Sequence, residues 1–330
     1  MASTMEHISL SAPGGPEVLL PAESPRPLPG PGEVLIEVHA AGINRPDCLQ
    51  RQGKYPPPPG ASPILGLEVA GIVVECGHGV ARWKVGDKVC ALLSGGGYAE
   101  FATAPEVQCL PIPKGCDFVQ AASLPETVFT VWTNLFEDGA LKAGETVLIH
   151  GGSGGIGVTA IQMAHAMDAK VLTTVGREEG LEFCRATGAD HVFNYRIEDF
   201  VPLALEATGH RGVDVILDMV GGAYLARNIE CLAPRGRLIQ IAILGGAKGE
   251  LDLHKMMQKR LKLTGSTLRP RSVEEKGRIA AAVERNVWPL LESGRIRPQV
   301  TATFPLAKAA EAHALMEAGG HLGKIVLVVR

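Results

Sequence analysis

Over roughly the first 120 residues, apolar and polar positions alternate in short runs. Glu33-Val-Leu-Ile-Glu-Val-His39 has the period of two that suits a half-buried strand, and Glu68-Val-Ala-Gly-Ile-Val-Val-Glu75 repeats it. The runs 87–93 and 97–103 follow, separated by a turn at Ser94, Gly95 and Gly96. Many short strands at close spacing predict a small β-barrel or sandwich, interrupted by one short helix at Arg45 to Gln52. Residues 21–31 read as a Pro-rich extended connector, and the four prolines 56–59 after Tyr55 as a stiff loop.

From about Pro125 the period changes. Strands are predicted at 146–150, 170–175, 191–193, 213–218, 236–241 and 261–265. Helices at 154–167, 178–187, 197–207, 222–231 and 253–259 lie between them. Strict alternation of strand and helix predicts a doubly wound, six-stranded parallel sheet of the Rossmann kind. The tail adds a helix at 273–291, a strand at 300–303, a helix at 307–318 and a strand at 324–329. Six strands already complete such a sheet, so the tail is expected to return to the β-rich part. The expected division is one discontinuous domain, 1–124 with 267–330, around a nucleotide domain, 125–266.

At 330 residues the chain has room for about two domains. Forty glycines and 23 prolines exceed the combined share of about 12% in average proteins, with no repeat or low-complexity run to explain them. That excess points to tight turns and to places where backbone approaches a ligand closely. A formal charge of −3 argues against a nucleic-acid partner or an anionic membrane. No run approaches the roughly 18 apolar residues of a membrane span, and the first ten residues lack an export signal, so a cytoplasmic location is expected. Seven scattered cysteines without C-x-x-C, and ten histidines without a close pair, favour reduced thiols and no metal site.

One motif carries the chemistry. Gly151-Gly-Ser-Gly-Gly-Ile-Gly157 satisfies G-x-G-x-x-G through Gly152, Gly154 and Gly157, at the first βα turn of the alternating series. Small residues there allow a tight turn, and the next helix presents its free N–H groups to a pyrophosphate. The second strand ends Thr174-Val-Gly-Arg177 without the carboxylate that would bind a ribose 2′-hydroxyl. Arg177 suits a 2′-phosphate instead, which favours NADPH; its other reading is a solvated side chain. Other residues have plainer readings. His150 is a satisfied strand-end histidine, Lys255, Lys259, Arg260 and Lys262 are a solvated face, and Asp47 and Arg51 form an i, i+4 ion pair or shape an acceptor pocket.

The segment Ala40-Ala-Gly-Ile-Asn-Arg-Pro-Asp-Cys-Leu-Gln-Arg-Gln-Gly-Lys-Tyr-Pro56 resembles the zinc-free quinone oxidoreductase (zeta-crystallin) branch of the medium-chain dehydrogenase/reductase superfamily. Within that branch the pattern is nearest to the tumour-suppressor-inducible quinone reductases. Pro59 to Glu68, Leu93 to Gly97, Ile149 to Gly157, Phe193-Asn-Tyr195 and Gly323-Lys-Ile-Val326 extend the likeness over essentially the whole chain. The resemblance implies a GroES-like β-rich catalytic domain beside the Rossmann domain, a homodimer, and NADPH-dependent reduction of a quinone. Zinc-dependent members of the superfamily carry Cys at the place of Asn44 and His-Glu at Leu67-Glu68, so this chain is expected to work without metal.

By the same resemblance Asn44 and Thr127 lie near the nicotinamide. Ser153, Gly154, Gly155, Ile156 and Gly157 hold the pyrophosphate, and Tyr195 lies by the adenine-side ribose phosphate. Gly221 and Ile243 meet the nicotinamide side, and Leu322 and Lys324 close over the cofactor. The family lysine just beyond Arg177 is replaced here by Glu179 and Gly180. Asp47, Arg51 and Tyr55 are the expected acceptor-pocket residues, with Tyr55 and Asn44 the catalytic candidates. Three activities stay open. Quinone reduction could take its protons from solvent. A 2-alkenal or enoyl reductase would need a placed acid such as Tyr55. A crystallin-like cofactor-binding protein would show little catalysis.

Overall fold

The computed structural model describes residues 4–330; residues 1–3 of the N-terminal stretch lie outside it. The chain begins with strands β1 (Thr4–Leu10), β2 (Leu19–Pro25) and β3 (Glu33–Ile43), helix α1 (Arg45–Arg51), and strands β4 (Glu68–Cys76), β5 (Lys88–Leu92), β6 (Phe101–Pro105) and β7 (Cys109–Pro111). The short helix α2 (Phe118–Ala121) leads into α3 (Pro125–Val131). Next come β8 (Thr146–Ile149), α4 (Gly155–Ala166), β9 (Lys170–Val175), α5 (Glu178–Ala186), β10 (His191–Asn194) and α6 (Phe200–Ala207). They are followed by β11 (Val213–Asp218), α7 (Leu225–Cys231), β12 (Leu232–Gln240), α8 (Leu253–Lys259) and β13 (Lys262–Gly265). Helices α9 (Val273–Asn286) and α10 (Trp288–Glu292), strand β14 (Val300–Pro305), helix α11 (Ala309–Ala318) and strand β15 (Lys324–Val328) complete the chain.

The chain divides into two compact units. The first comprises the residues up to Phe129 with Arg269–Gly294 and Pro298–Arg330; the second is Thr130–Leu268 with Arg295–Arg297. The division thus falls inside α3 rather than at the expected 124/125. Arg295 and Arg297 join the second unit because the Arg295 guanidinium donates to Ala166 O, and Arg297 and Gln162 exchange two hydrogen bonds.

The first unit is built on a seven-stranded sheet in the order β14-β15-β3-β4-β5-β7, with β6 also pairing β3. Tail strand β15 lies antiparallel to β3, Ile325 opposite Ile43, so the two ends of the chain share one sheet. Val34, Ile36, Val38, Val69, Val73, Val89, Ile325 and Leu327 fill its core. Burying each such side chain stabilises the fold by about 1.5–3 kcal/mol.

Three expectations change here. Residues 21–25 are not connector but the outer strand of the β1–β2 hairpin, where an edge tolerates Pro21 and Pro25. The strand expected at 97–103 sits at 101–105, because Gly97 is drawn into a close backbone approach with Gly66. The helix expected at 273–291 breaks at Val287: Pro289 has no N–H to continue the ladder, and a new short helix starts at Trp288.

The second unit is a six-stranded sheet in the order β10-β9-β8-β11-β12-β13, parallel throughout. From β8 the chain winds outward through β9 and β10, then resumes at β11 on the other side of β8. That reversal opens a crevice beyond the carboxyl ends of β8 and β11, where doubly wound sheets bind ligands. Among the described residues no helix is long and apolar enough to cross a membrane.

Candidate active site

In the second unit the candidate cofactor surface is mostly backbone. Gly151 has φ +69°, which strains any residue with a Cβ. A Cβ on Gly157 would meet Gly151 O at 2.2 Å and Gly152 Cα at 2.6 Å, so this loop accepts no side chain there. Gly154 caps α4 without a side-chain hydrogen bond, and no acidic residue stands in the first turn. The N–H groups at Gly155, Ile156 and Gly157, with half-buried Ser153 at the loop's bend, therefore stand at a positive helix end suited to an anion. The residues present fit a dinucleotide's diphosphate.

A buried polar column supports this loop. His150 lies between Thr174 Oγ1 (3.0 Å) and Asn228 Oδ1 (2.8 Å), and Asn228 Nδ2 donates to Asp218 Oδ2 at 3.0 Å. Because Asn228 presents its oxygen, His150 carries its proton on Nε2 and accepts from Thr174. Burial pushes its pKa down, so the ring stays neutral. Asp218 also accepts from the N–H groups of Val220 and Gly221. Gly221, at φ +88°, leaves no room for a Cβ against Gly246 O (2.6 Å) and Ile243 Cα (3.2 Å). Thus Gly221 and Ile243 do come together, with the Ile243 side chain 57% exposed. The plain reading of His150 holds. Its partners Thr174, Asn228 and Asp218 were not singled out from the sequence.

At the tip of β9, Arg177 is exposed and opens α5. The Tyr195 hydroxyl lies 2.5 Å from where a Gly176 Cβ would stand, so its phenol covers the residue beside Arg177. An exposed arginine thus follows the glycine that the phenol covers.

In the first unit the chemistry is held by side chains. Lys324 is buried, and its ammonium donates to Glu68 Oε1 (2.6 Å), Asn44 Oδ1 (2.6 Å) and Ile43 O (3.0 Å). All three of its protons are thereby committed, which makes Lys324 the counter-ion of Glu68. Asn44 Nδ2 in turn donates to Glu68 Oε1 at 2.9 Å. The Asn44 backbone N–H donates to Asp47 Oδ2 at 2.8 Å, which anchors the start of α1.

Asp47 and Arg51 are both buried, and their expected direct ion pair is not formed. Arg51 pairs with Glu317 (2.6 Å), and its Nη1 points at His313 Nδ1 (3.3 Å). The His313 Nε2–H then donates to Tyr98 Oη (3.0 Å), whose hydroxyl donates to Asp47 Oδ2 (3.1 Å). Arg51 and Asp47 are thus linked through an imidazole and a phenol instead of touching. Burial drives the His313 pKa down to about 3, so that ring stays neutral. Desolvation raises the Asp47 carboxyl to about 6, and its Oδ1 has no partner at all.

Tyr55 is half-buried, with the Arg269 guanidinium 5.3 Å from its ring centroid. Arg269 is fixed by Ser94 O and Gln50 Oε1, and Lys276 by Ser94 Oγ and Arg269 O. Thr127 is buried, its hydroxyl bonded back to Ser123 O and Leu124 O. Leu322 is half-buried and accepts from the Thr301 hydroxyl through its carbonyl. Between Thr127 and the Lys324 cluster stands a residue the sequence reading passed over, Glu126. Its N–H donates to Glu68 Oε2 at 2.9 Å. Its own carboxyl is raised to about 8 by desolvation first and by Glu68 second, so it is mostly protonated at neutral pH. Nothing local marks it, because Glu68 comes from a strand 58 residues earlier in the chain.

Two family models match the chain: the alcohol dehydrogenase GroES-like domain over residues 30–114 and the zinc-binding dehydrogenase model over residues 187–327. The quinone oxidoreductase of Rattus norvegicus is 36% identical over 319 residues, covering 96% of this chain and 95% of that protein. That of Homo sapiens is 34% identical, over 96% and 95%. The chain belongs to the quinone oxidoreductase family. The Escherichia coli quinone oxidoreductase solved with NADPH superimposes with a TM-score of 0.86 at 32% identity, over 99% of this chain and all of the other. A 2-haloacrylate reductase superimposes with a TM-score of 0.84 at 30% identity, over 99% of each chain. This member of the family is therefore an NAD(P)H-dependent oxidoreductase with the medium-chain dehydrogenase/reductase architecture. The zinc in the name of one matching model finds no fitting ligand set at Asn44 and Glu68. An ammonium already sits 2.6 Å from both side chains, and a second cation there would meet its full charge.

Proposed function

We propose that the enzyme reduces quinones with NADPH and without metal. The observation that carries this reading is the Lys324–Glu68–Asn44 cluster: where zinc-dependent relatives polarise an alcohol, this chain holds an internal ion pair. An acceptor reduced here must tolerate its negative charge without a Lewis acid, and a quinone does.

NADPH supplies the hydride when bound, to an electron-poor conjugated acceptor. The loop Ser153–Gly157 would hold its diphosphate, Arg177 and Tyr195 its 2′-phosphate, and Gly221 and Ile243 the nicotinamide end. Glu126 carries a transferable proton at neutral pH, and Tyr55 a phenol that burial keeps protonated. Either can hand a proton to a reduced oxygen, and the half-buried Glu126 is the stronger acid of the two. Arg269, beside Tyr55, places a fixed positive charge where an acceptor oxygen becomes anionic.

Steady-state rates of Tyr55→Phe on a quinone and on a 2-alkenal, each with NADPH and with NADH, test the proposal. The quinone rate should fall by less than about tenfold and NADPH should be preferred. A thousandfold loss on the quinone, or a clear NADH preference, overturns it. A 2-alkenal reductase, favoured by the likeness to 2-haloacrylate reductase, predicts the large loss instead.

Two further properties belong to the same proposal. β13 is hydrogen-bonded only to β12, is exposed along its whole length, and has Leu263, Leu253 and Met257 exposed on and beside it. Such an edge suits antiparallel pairing with a second copy. Sedimentation velocity should show a dimer that Leu263→Lys weakens; a wild-type monomer refutes the pairing. All seven cysteines are free thiols, in keeping with a reducing cytoplasm.

A further inference from the structure

A cavity of about 470 Å³ lies wholly within the second unit, at the end of the sheet away from the glycine loop. It opens where β8, β12 and β13 begin, whereas the glycine loop follows the end of β8. Lys142, Arg235, Arg260 and Lys262 line it, and among the described residues none of these four side chains makes a hydrogen bond or an ion pair. A fifth cation, Arg237, also lines it and is held by Glu145 in a bidentate pair at 2.6 and 2.9 Å. Asp138 is the other acidic residue on the wall, so five cations against two acids leave three net positive charges.

The backbone makes the same point independently. Arg235 has φ +64° and Arg260 φ +53°, the left-handed region in which glycine is comfortable and a side chain is strained. Arg235 stands just after Pro234 and just before Gly236, and Arg260 caps α8 where glycine is the usual residue. The fold would be served better by glycine at both places. What arginine adds is a guanidinium on the cavity wall. The basic run that looked from the sequence like one solvated face is in fact split. Lys255 pairs with Glu230, and Lys259 caps α7 through Ile229 O, Glu230 O and Leu232 O. Arg260 and Lys262 face the cavity instead.

We infer that this cavity is a binding site for a small, multiply charged phosphate-type anion, separate from the dinucleotide loop. Planar guanidinium forks match phosphate oxygens two at a time, and a cavity of this size takes a small ligand. No aromatic side chain lines it, so nothing there would stack a nucleobase; the recognised group is the phosphate itself. The site does not depend on how the acceptor of the redox reaction is identified.

Calorimetric titration of inorganic pyrophosphate into the NADPH-saturated enzyme at low ionic strength tests it, with the dinucleotide loop already filled. One pyrophosphate should bind per chain, and Arg235→Gly and Arg260→Gly should each weaken it by about tenfold. Both variants should keep or raise the melting temperature, since glycine relieves the positive φ, so weaker binding cannot be put down to unfolding. Lys84→Gln, which removes one exposed charge elsewhere, should leave the affinity unchanged. Absence of binding at millimolar pyrophosphate overturns the inference. Equal affinity in all four proteins does so too, because it would make the attraction one of general charge.

Discussion

The two units hold their chemistry in opposite ways. In the second, the candidate dinucleotide surface is backbone: a loop in which a single added methyl meets another peptide at 2.2 Å, and a helix end left uncapped. In the first, it is the side chains of Asn44 and Glu68 buried around the Lys324 ammonium, with Asp47 holding the Asn44 backbone and half-buried Glu126 donating its N–H to Glu68. A backbone site fails when something is added to it. A side-chain site fails when something is removed, because each member is the solvation of another.

The contrast can be broken most forcefully at Lys324. Lys324→Met leaves the fully buried Glu68 without its counter-ion and should cost about 3–5 kcal/mol of stability in urea denaturation. Combining it with Glu68→Gln should recover most of that. If the single variant costs less than about 1 kcal/mol, the ion pair does not organise the first unit. Next in size is Gly157→Val. It should weaken NADPH at least about a hundredfold in a fluorescence titration while leaving the first unit's near-ultraviolet signal in place. Normal affinity would mean that the loop is not the diphosphate cradle.

The smallest effect sharpens the picture at Glu126. Its folded pKa of about 8 lies above the ordinary carboxyl value, so its proton is present below that pH and lost as pH rises through it. If that proton is used, kcat on a quinone falls about tenfold between pH 7 and pH 9. Glu126→Gln, lower throughout, should lose that fall. For the same reason the wild type becomes less stable as pH rises from the ordinary carboxyl range through about 8, and the Gln variant escapes this. An unchanged pH profile in Glu126→Gln would remove it from the proton path.

The same contrast explains what was legible in the sequence. The glycine spacing at 151–157, the strand–helix alternation and the returning tail are local patterns, and each appears in the structure close to where it was read. Gly221 and Ile243 also lie together, because each follows a strand of a regular sheet. The Lys324 cluster could not be read this way. Its members lie up to 280 residues apart, and only the register of β15 on β3 brings Lys324 to Asn44. The Asp47–Arg51 spacing suggested a direct pair, yet Tyr98 and His313 stand between them, from segments with no periodic link to α1. The hairpin β1–β2 was hidden because its prolines read as a connector, a reading that an edge strand can defeat.

The seat of Lys324, 256 residues after its partner Glu68, has a consequence for how the chain is made. Asn44 and Glu68 are synthesised long before the ammonium that lets them be buried. Until then the newly made β3 lacks its β15 neighbour, and a carboxylate bound for the interior must stay in water. The first unit can therefore close only once β15 has been made, long after β3 and β4. On the ribosome the second unit, continuous but for three residues, can fold while the first waits. Removal of β15 should be felt at Asn44 and Glu68, on segments made long before it.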